Sequence, residues 1–193
     1  MIEKLQNIAL IRSGYHFKES IENDLQGAIQ FIQLKDIDEY NKIDFRNLLR
    51  NKLDNVKPNQ YIQQGDILFK NRGKNFTAAF IDVLVNNTIA TSHFFIIKVE
   101  NKNVIPEYLA FVLNDEPIQK LLKIGTGGTS IQTLNKKFLE NIEITIPSID
   151  IQNKIIKLNN LVEQEQKLLK RKIVLRKLLI DLQLRNVINK GQL

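Results

Sequence analysis

The sequence predicts an α+β fold: an irregular mixed α/β domain over residues 1–147, then a long, coiled-coil-like helical region over residues 148–193. Three observations predict it. Short runs rich in Ile, Val, Phe and Thr, bounded by Gly, Asn, Asp or Pro, fill the first half of the chain. Two helical patterns opened by Pro106 and Pro117 follow. After Ser148 the apolar residues take up helical spacing and keep it almost to the end.

Taken in order, residues 9–13, 28–34, 61–69, 76–84 and 88–99 read as strands. Gln63-Gln64-Gly65-Asp66 and Asn71-Arg72-Gly73-Lys74 carry turn chemistry around the third, and Asn86-Asn87 punctuates the last pair. Residues 35–58 give few clean signals and are expected to be a loop with helical turns. Helices are expected from Pro106 to Asn114, and from about Pro117 to just before Gly125. Thr133 is a plausible N-cap for a short helix ending at Glu140, and residues 142–146 read as a further strand. Ser148 can cap the final helix. There Leu161, Leu168, Leu175 and Leu182 recur every seventh residue, a spacing that favours packing along another helix and so dimerisation. Glu165 and Lys172 interrupt the companion positions, and Asn159-Asn160 is a candidate break. A helix folded back on its own domain is the alternative.

Composition narrows the function classes. There is no cysteine, hence no disulfide framework, thiolate metal site or cysteine nucleophile. No apolar run is long enough to cross a bilayer, and Met1-Ile2-Glu3-Lys4 does not resemble a signal peptide, so a cytoplasmic protein is expected. The formal net charge is +7, but residues 1–150 hold equal numbers of acids and bases, and the whole excess falls on residues 151–193. Phosphate contacts by the first domain must therefore come from local clusters. Lys70, Asn71, Arg72 and Lys74 form one such cluster: Arg can clamp guanine or phosphate, and Asn can read adenine. An ordinary basic turn is the alternative. In the helical region Lys167, Lys170, Arg171, Lys172, Arg176 and Lys177 surround the leucine seam, where flanking charges select helical partners.

Catalytic and metal sites find little support. The two histidines, His16 and His93, form no dyad, since Ser92 and His93 as strand neighbours point to opposite faces. Gly125-Thr126-Gly127-Gly128 lacks the Lys-Ser/Thr ending of a nucleotide-phosphate loop, and no methyltransferase signature is present. Asp82 followed by Glu100-Asn101-Lys102 has the residue types of a Mg²⁺-dependent nuclease, but so short a motif is common by chance and a solvated turn accounts for it.

Four stretches carry a resemblance. They are Ile11-Arg12-Ser13-Gly14-Tyr15-His16-Phe17, Gly65-Asp66-Ile67-Leu68-Phe69-Lys70-Asn71-Arg72-Gly73, Ala90-Thr91-Ser92-His93-Phe94-Phe95-Ile96-Ile97, and the glycine-rich run from Gly125 to Asn135. In this order they resemble the specificity subunits of type I restriction–modification systems, over nearly the whole chain. The run Pro147-Ser148-Ile149-Asp150-Ile151-Gln152 departs from that family's usual two prolines and Glu-Gln pair, keeping one proline and the Gln. Such subunits typically carry two target-recognition domains and two helical spacers; here there is one of each.

The resemblance implies a non-catalytic, half-length DNA-recognition subunit with no cofactor of its own. SAM, ATP and Mg²⁺ would belong to partner modification and restriction subunits, and a homodimer formed through the C-terminal helix would restore two recognition domains on a bipartite site. It adds Arg12, Lys18, Thr91, Ser92, His93, Thr126, Thr129, Ser130 and Gln132 to the candidate DNA contacts. Tyr15, Phe17, Phe94 and Phe95 read as core. A stand-alone dimeric DNA-binding regulator is the alternative from a different class.

Overall fold

The computed structural model describes residues 1–17, 23–53, 56–73, 75–124 and 132–190. Two compact units result, Met1–Asn153 and Lys154–Leu193.

The first unit is built on a four-stranded antiparallel sheet. In chain order the strands are β1 (Ile2–Lys4), β2 (Ala9–Ser13), β3 (Ile29–Ile32), β4 (Leu49–Asn51), β5 (Ile67–Lys70), β6 (Arg72–Gly73), β7 (Ala78–Phe80), β8 (Thr88–Ala90), β9 (Phe94–Val99), β10 (Gln132–Thr133) and β11 (Glu143–Thr145). The helices are α1 (Leu5–Ile8), α2 (Pro106–Asn114), α3 (Glu116–Ile124), α4 (Lys136–Glu140) and α5 (Ile149–Lys190). The main sheet has the order β2-β9-β5-β7, and a smaller one the order β4-β3-β8. In the smaller sheet β3 runs antiparallel to β4 and parallel to β8.

The central strands β5 and β9 are apolar at consecutive positions because both faces of the sheet are covered. Ile67, Phe69, Phe95 and Ile97 join Leu109, Leu113 and Leu122 in a core on one side. Leu68, Phe94 and Ile96 face the other way, against Ile32, Ile62 and Ile81. Phe94 and Phe95 are thus core residues, as expected. Tyr15 and Phe17 are partly buried against Ile29, Phe31 and Ile89, with ring centroids 4.9 Å apart for Tyr15–Phe17 and 5.1 Å for Phe17–Phe31.

Several expected boundaries shift for identifiable reasons. The run expected over 61–69 becomes strand only from Ile67, because Gly65 turns the chain with φ +93°. The run over 88–99 divides at Thr91-Ser92-His93, where Phe94 N–H donates to Thr91 O at 3.0 Å. The described residues between 34 and 60 hold three short 3₁₀ turns and the strand β4. The cap of the short helix is Asn135, not Thr133: Asn135 Oδ1 accepts from Lys137 N–H at 2.8 Å, while Thr133 lies in β10. Helix α2 has the expected ends. Asn159-Asn160 does not break α5; Asn159 Nδ2 donates to Glu163 Oε1 one turn on, at 2.9 Å.

Two pairings close the first unit. The antiparallel pair β1–β11 joins the start of the chain to the strand leading into α5. Gln152, fully buried in the first turn of that helix, accepts from Ile105 N–H at 2.8 Å and donates to Asn103 O and Pro147 O at 2.7 and 2.9 Å. A buried amide satisfied at both ends is a strong local constraint. It also explains why a Gln follows the proline here.

Candidate nucleic-acid interface

Segments far apart in sequence meet at the turn Thr91-Ser92-His93, between β8 and β9. Asn71 ties them together. Its side-chain Nδ2 donates to Ser92 O at 2.9 Å and its backbone N–H to His93 O at 3.0 Å. Its own carbonyl accepts from Leu134 N–H at 2.8 Å. Immediately beyond, β6 pairs antiparallel with β10, with Gly73 opposite Gln132 and Arg72 opposite Thr133. The basic cluster after β5 is therefore not a free hairpin turn, as the sequence suggested. It is stitched to the strand that leaves the glycine-rich segment.

The Arg12–Phe17 stretch reaches the same turn from the other side. Gly14 N–H donates to Phe94 O at 2.9 Å and Tyr15 N–H to Ala90 O at 2.7 Å, and Tyr15 bridges Thr91 in parallel. Only glycine is accommodated at position 14, since a Cβ there would lie 2.1 Å from the Thr91 carbonyl oxygen. Parts of all four sequence stretches thus share one hydrogen-bonded junction.

The junction sorts the candidate contacts by accessibility. Arg72 is exposed, and Ser92 and His93 are half-buried. Lys70 is also half-buried: burial lowers its pKa, and the charge of Asp38 opposes that shift. Asn71 is buried, with its amide N–H2 committed to Ser92, which places it as scaffold instead of as the adenine reader expected. Thr91 is buried, with no partner for Oγ1 among the described residues. Arg12 is largely internal. Its Nη2 donates to Tyr61 O at 3.0 Å and to Asp66 Oδ2 at 3.2 Å. Burial lowers the Arg12 pKa against the pull of Asp66. Burial also raises the Asp66 pKa, opposed by the Gln63 N–H and by Arg12. Lys18, Lys74, Thr126, Thr129 and Ser130 lie outside the described residues, and for Gln132 only the backbone is placed.

Sequence reasoning missed Lys57 and Gln60. They bracket a 3₁₀ turn, Pro58–Gln60, that follows a run without periodicity, and with Arg12 and His16 they line a cavity of about 540 Å³. Nothing local in the sequence connects them to Arg12.

The nuclease pattern gains no geometry. Asp82 follows β7 and Glu100 follows β9, and β5 lies between those strands, a lateral separation of about 10 Å at normal strand spacing. Among the described residues no group of three or more His, Asp or Glu is placed to hold a metal ion. Nor is any helix there long and apolar enough to cross a membrane.

In the second unit Leu161, Leu168, Leu175 and Leu182 are 53%, 68%, 52% and 51% exposed. Leu168, Leu175 and Leu179 form an apolar strip along α5, flanked by Arg171, Lys172 and Arg176.

A family profile described as the type I restriction modification DNA specificity domain matches residues 1–173. Solved structures agree in fold. The HsdS subunit from Thermoanaerobacter tengcongensis superposes with TM-score 0.63 at 16% identity, over 89% of this chain and 39% of that one. The type I restriction–modification S subunit from M. genitalium gives 0.56 at 11% identity, over 85% and 39%. A chain from a study of complex assembly and conformational transition of the type I R-M system gives 0.58 at 15% identity, over 89% and 40%. This chain therefore spans about two fifths of the length of the structures it matches. No curated protein matches it.

Proposed function

The chain belongs to the family of type I restriction–modification DNA specificity domains, and on that premise we propose that its first unit recognises double-stranded DNA through the surface around the Thr91-Ser92-His93 turn. The observation that carries this reading is the convergence on Asn71: one residue fixes the basic β5–β6 corner, the Ser92–His93 turn and the exit of the glycine-rich segment. Such a junction presents side chains from several loops on one rigid base, which groove recognition demands. Arg72 is the exposed cation of that surface among the described candidates, with Ser92 and His93 beside it.

The domain supplies recognition and no chemistry. Methylation with SAM and ATP-driven restriction belong to partner subunits in the cytoplasm, which this chain positions on DNA. The modification subunit must extrude its target base, and a specificity domain holds the duplex in register meanwhile. Residues 148–193 serve as the spacer. Two copies pair antiparallel through the strip containing Leu161, Leu168, Leu175 and Leu182, and the basic residues between Lys167 and Lys177 meet protein. Two-fold pairing inverts one recognition domain relative to the other, so the site is an interrupted palindrome.

Methylome sequencing of cells with and without the gene tests the reading. An interrupted palindromic motif should lose adenine methylation when the gene is deleted. Inserting one helical turn between Leu168 and Leu175 should lengthen the gap and leave both half-sites unchanged. A methylome indifferent to the gene sinks the proposal. Co-purification with a methyltransferase separates it from a stand-alone regulator.

A further inference from the structure

We infer that the cavity between the Arg12–His16 stretch and the Lys57–Gln60 turn is the seat of a backbone phosphate of the bound DNA strand. The inference rests on the DNA-recognition reading and deepens it, because it assigns a contact to residues outside the basic β5–β6 corner.

The chemistry of the lining carries the argument. Around about 540 Å³ stand Arg12, Ser13, Tyr15, His16, Lys57 and Gln60, with no carboxylate among the described lining residues. Asp66 neutralises Arg12 from the interior, through Nη2. The other guanidinium nitrogen, Nη1, is buried with no hydrogen-bond partner among the described residues, and so is Gln60 Oε1. Unpaired buried polar atoms cost stability, and both belong to residues that line the cavity. Arg12 and Lys57 bring a guanidinium and an ammonium, both donor-only cations, and no carboxylate opposes them among the described lining residues. An oxyanion with several acceptor oxygens matches that pair.

Position agrees with chemistry. Gly14 and Tyr15 border the cavity and also bond to Phe94 O and Ala90 O. The seat is thus continuous with the junction that holds Ser92 and His93. A strand lying across that turn would bring its sugar-phosphate backbone over Lys57, which is exposed.

The test is a salt titration of duplex binding by the full chain, using a random-sequence DNA duplex as the probe. The proteins are wild type, Lys57→Gln, Arg72→Glu and, as a charge-matched control, Lys4→Gln at an exposed site. For Lys57→Gln the slope of log affinity against log salt should shrink by about one, and for Lys4→Gln it should not. If Arg72→Glu weakens binding but Lys57→Gln keeps the full slope, the phosphate seat is wrong and the recognition reading stands. If wild type binds no duplex at all, both fall together. Inorganic phosphate at constant ionic strength distinguishes a free-anion pocket: saturating the cavity with it, with no loss of duplex affinity, overturns the proposal.

Discussion

The two units of this chain treat the same amino acids in opposite ways. In Met1–Asn153 the large aliphatic residues of the central strands are buried almost completely, and charge is balanced. From Leu158 onward, the described Leu, Ile and Val are 42% to 69% exposed, and the whole formal excess of +7 falls in residues 151–193. The first unit is sequestered by its own tertiary structure. The second has a helix whose apolar strip, by the usual source of helical stability, calls for packing against something further. The contrast separates two kinds of surface: a self-sufficient core that fixes loops, and an exposed apolar strip to which the proposed pairing assigns assembly.

The largest expected effect breaks the assembly half of that contrast. Leu168→Asp with Leu175→Asp should weaken self-association by roughly two orders of magnitude or more, since each Leu forfeits about 1.5–3 kcal/mol of burial. Sedimentation velocity reads the change, and an unaltered profile would show that the strip is not the seam. Near-ultraviolet signals of the first unit should survive.

Next comes the core half. Gly14→Ala forces a methyl group toward the Thr91 carbonyl and should cost about 1–3 kcal/mol of stability, measured by urea unfolding. An unchanged midpoint would mean that the junction yields easily, against the rigid base inferred for it. Asn71→Ala acts at the same junction, releasing the Ser92 carbonyl from its amide partner, for about 1–3 kcal/mol.

Arg72→Glu sharpens the contrast from the functional side. It should lower duplex affinity about tenfold or more and flatten the salt slope while leaving stability within about 0.5 kcal/mol, because the side chain is exposed. Equal affinity at every salt concentration would remove the β5–β6 corner from the interface.

The smallest effect concerns locally paired charge. Asp44 accepts side-chain hydrogen bonds from Arg46, which hold its carboxyl down at about 2. The folded value lies below the unfolded one near 3.9, so this contribution is present above about pH 4 and lost as pH falls toward 2. In a carbon-detected NMR titration the Asp44 pKa should rise toward the ordinary carboxylate range in Arg46→Ala, while the backbone N–H of residue 46 and the Asn47 amide still hold it somewhat low. A carboxyl still titrating near 2 in that variant would assign the shift to the backbone.

Much of the fold was legible in local signals. Runs rich in Ile, Val, Phe and Thr between turn residues located the main-sheet strands, Pro106 marked the start of α2, and the leucine period marked the exposed strip of α5. What escaped was non-local. The strands β1, β6, β10 and β11 are two or three residues long, and their partners lie some 60 to 140 positions away, so no window of sequence contains the pattern. The site divides along the same line. Residue types in the four stretches singled out segments that folding brings to one junction, but which of them face solvent depended on pairings that only the fold supplies. Asn71 illustrates it: as a residue type it could read adenine, and in place its amide is consumed by Ser92. Lys57 and Gln60 are the reverse case, ordinary in sequence and brought beside Arg12 only by folding.

The bonds at Asn71 have an evolutionary consequence. Two of the three use main-chain atoms on both sides, and the third ends on a main-chain carbonyl. None depends on which side chains Ser92, His93 or Leu134 carry. Leu134 is held by the core, but under the proposed reading a lineage could exchange the half-buried Ser92 and His93, trying new target sequences, without renegotiating the knot beneath them. The knot works like a tool chuck: one fixed grip, many interchangeable bits.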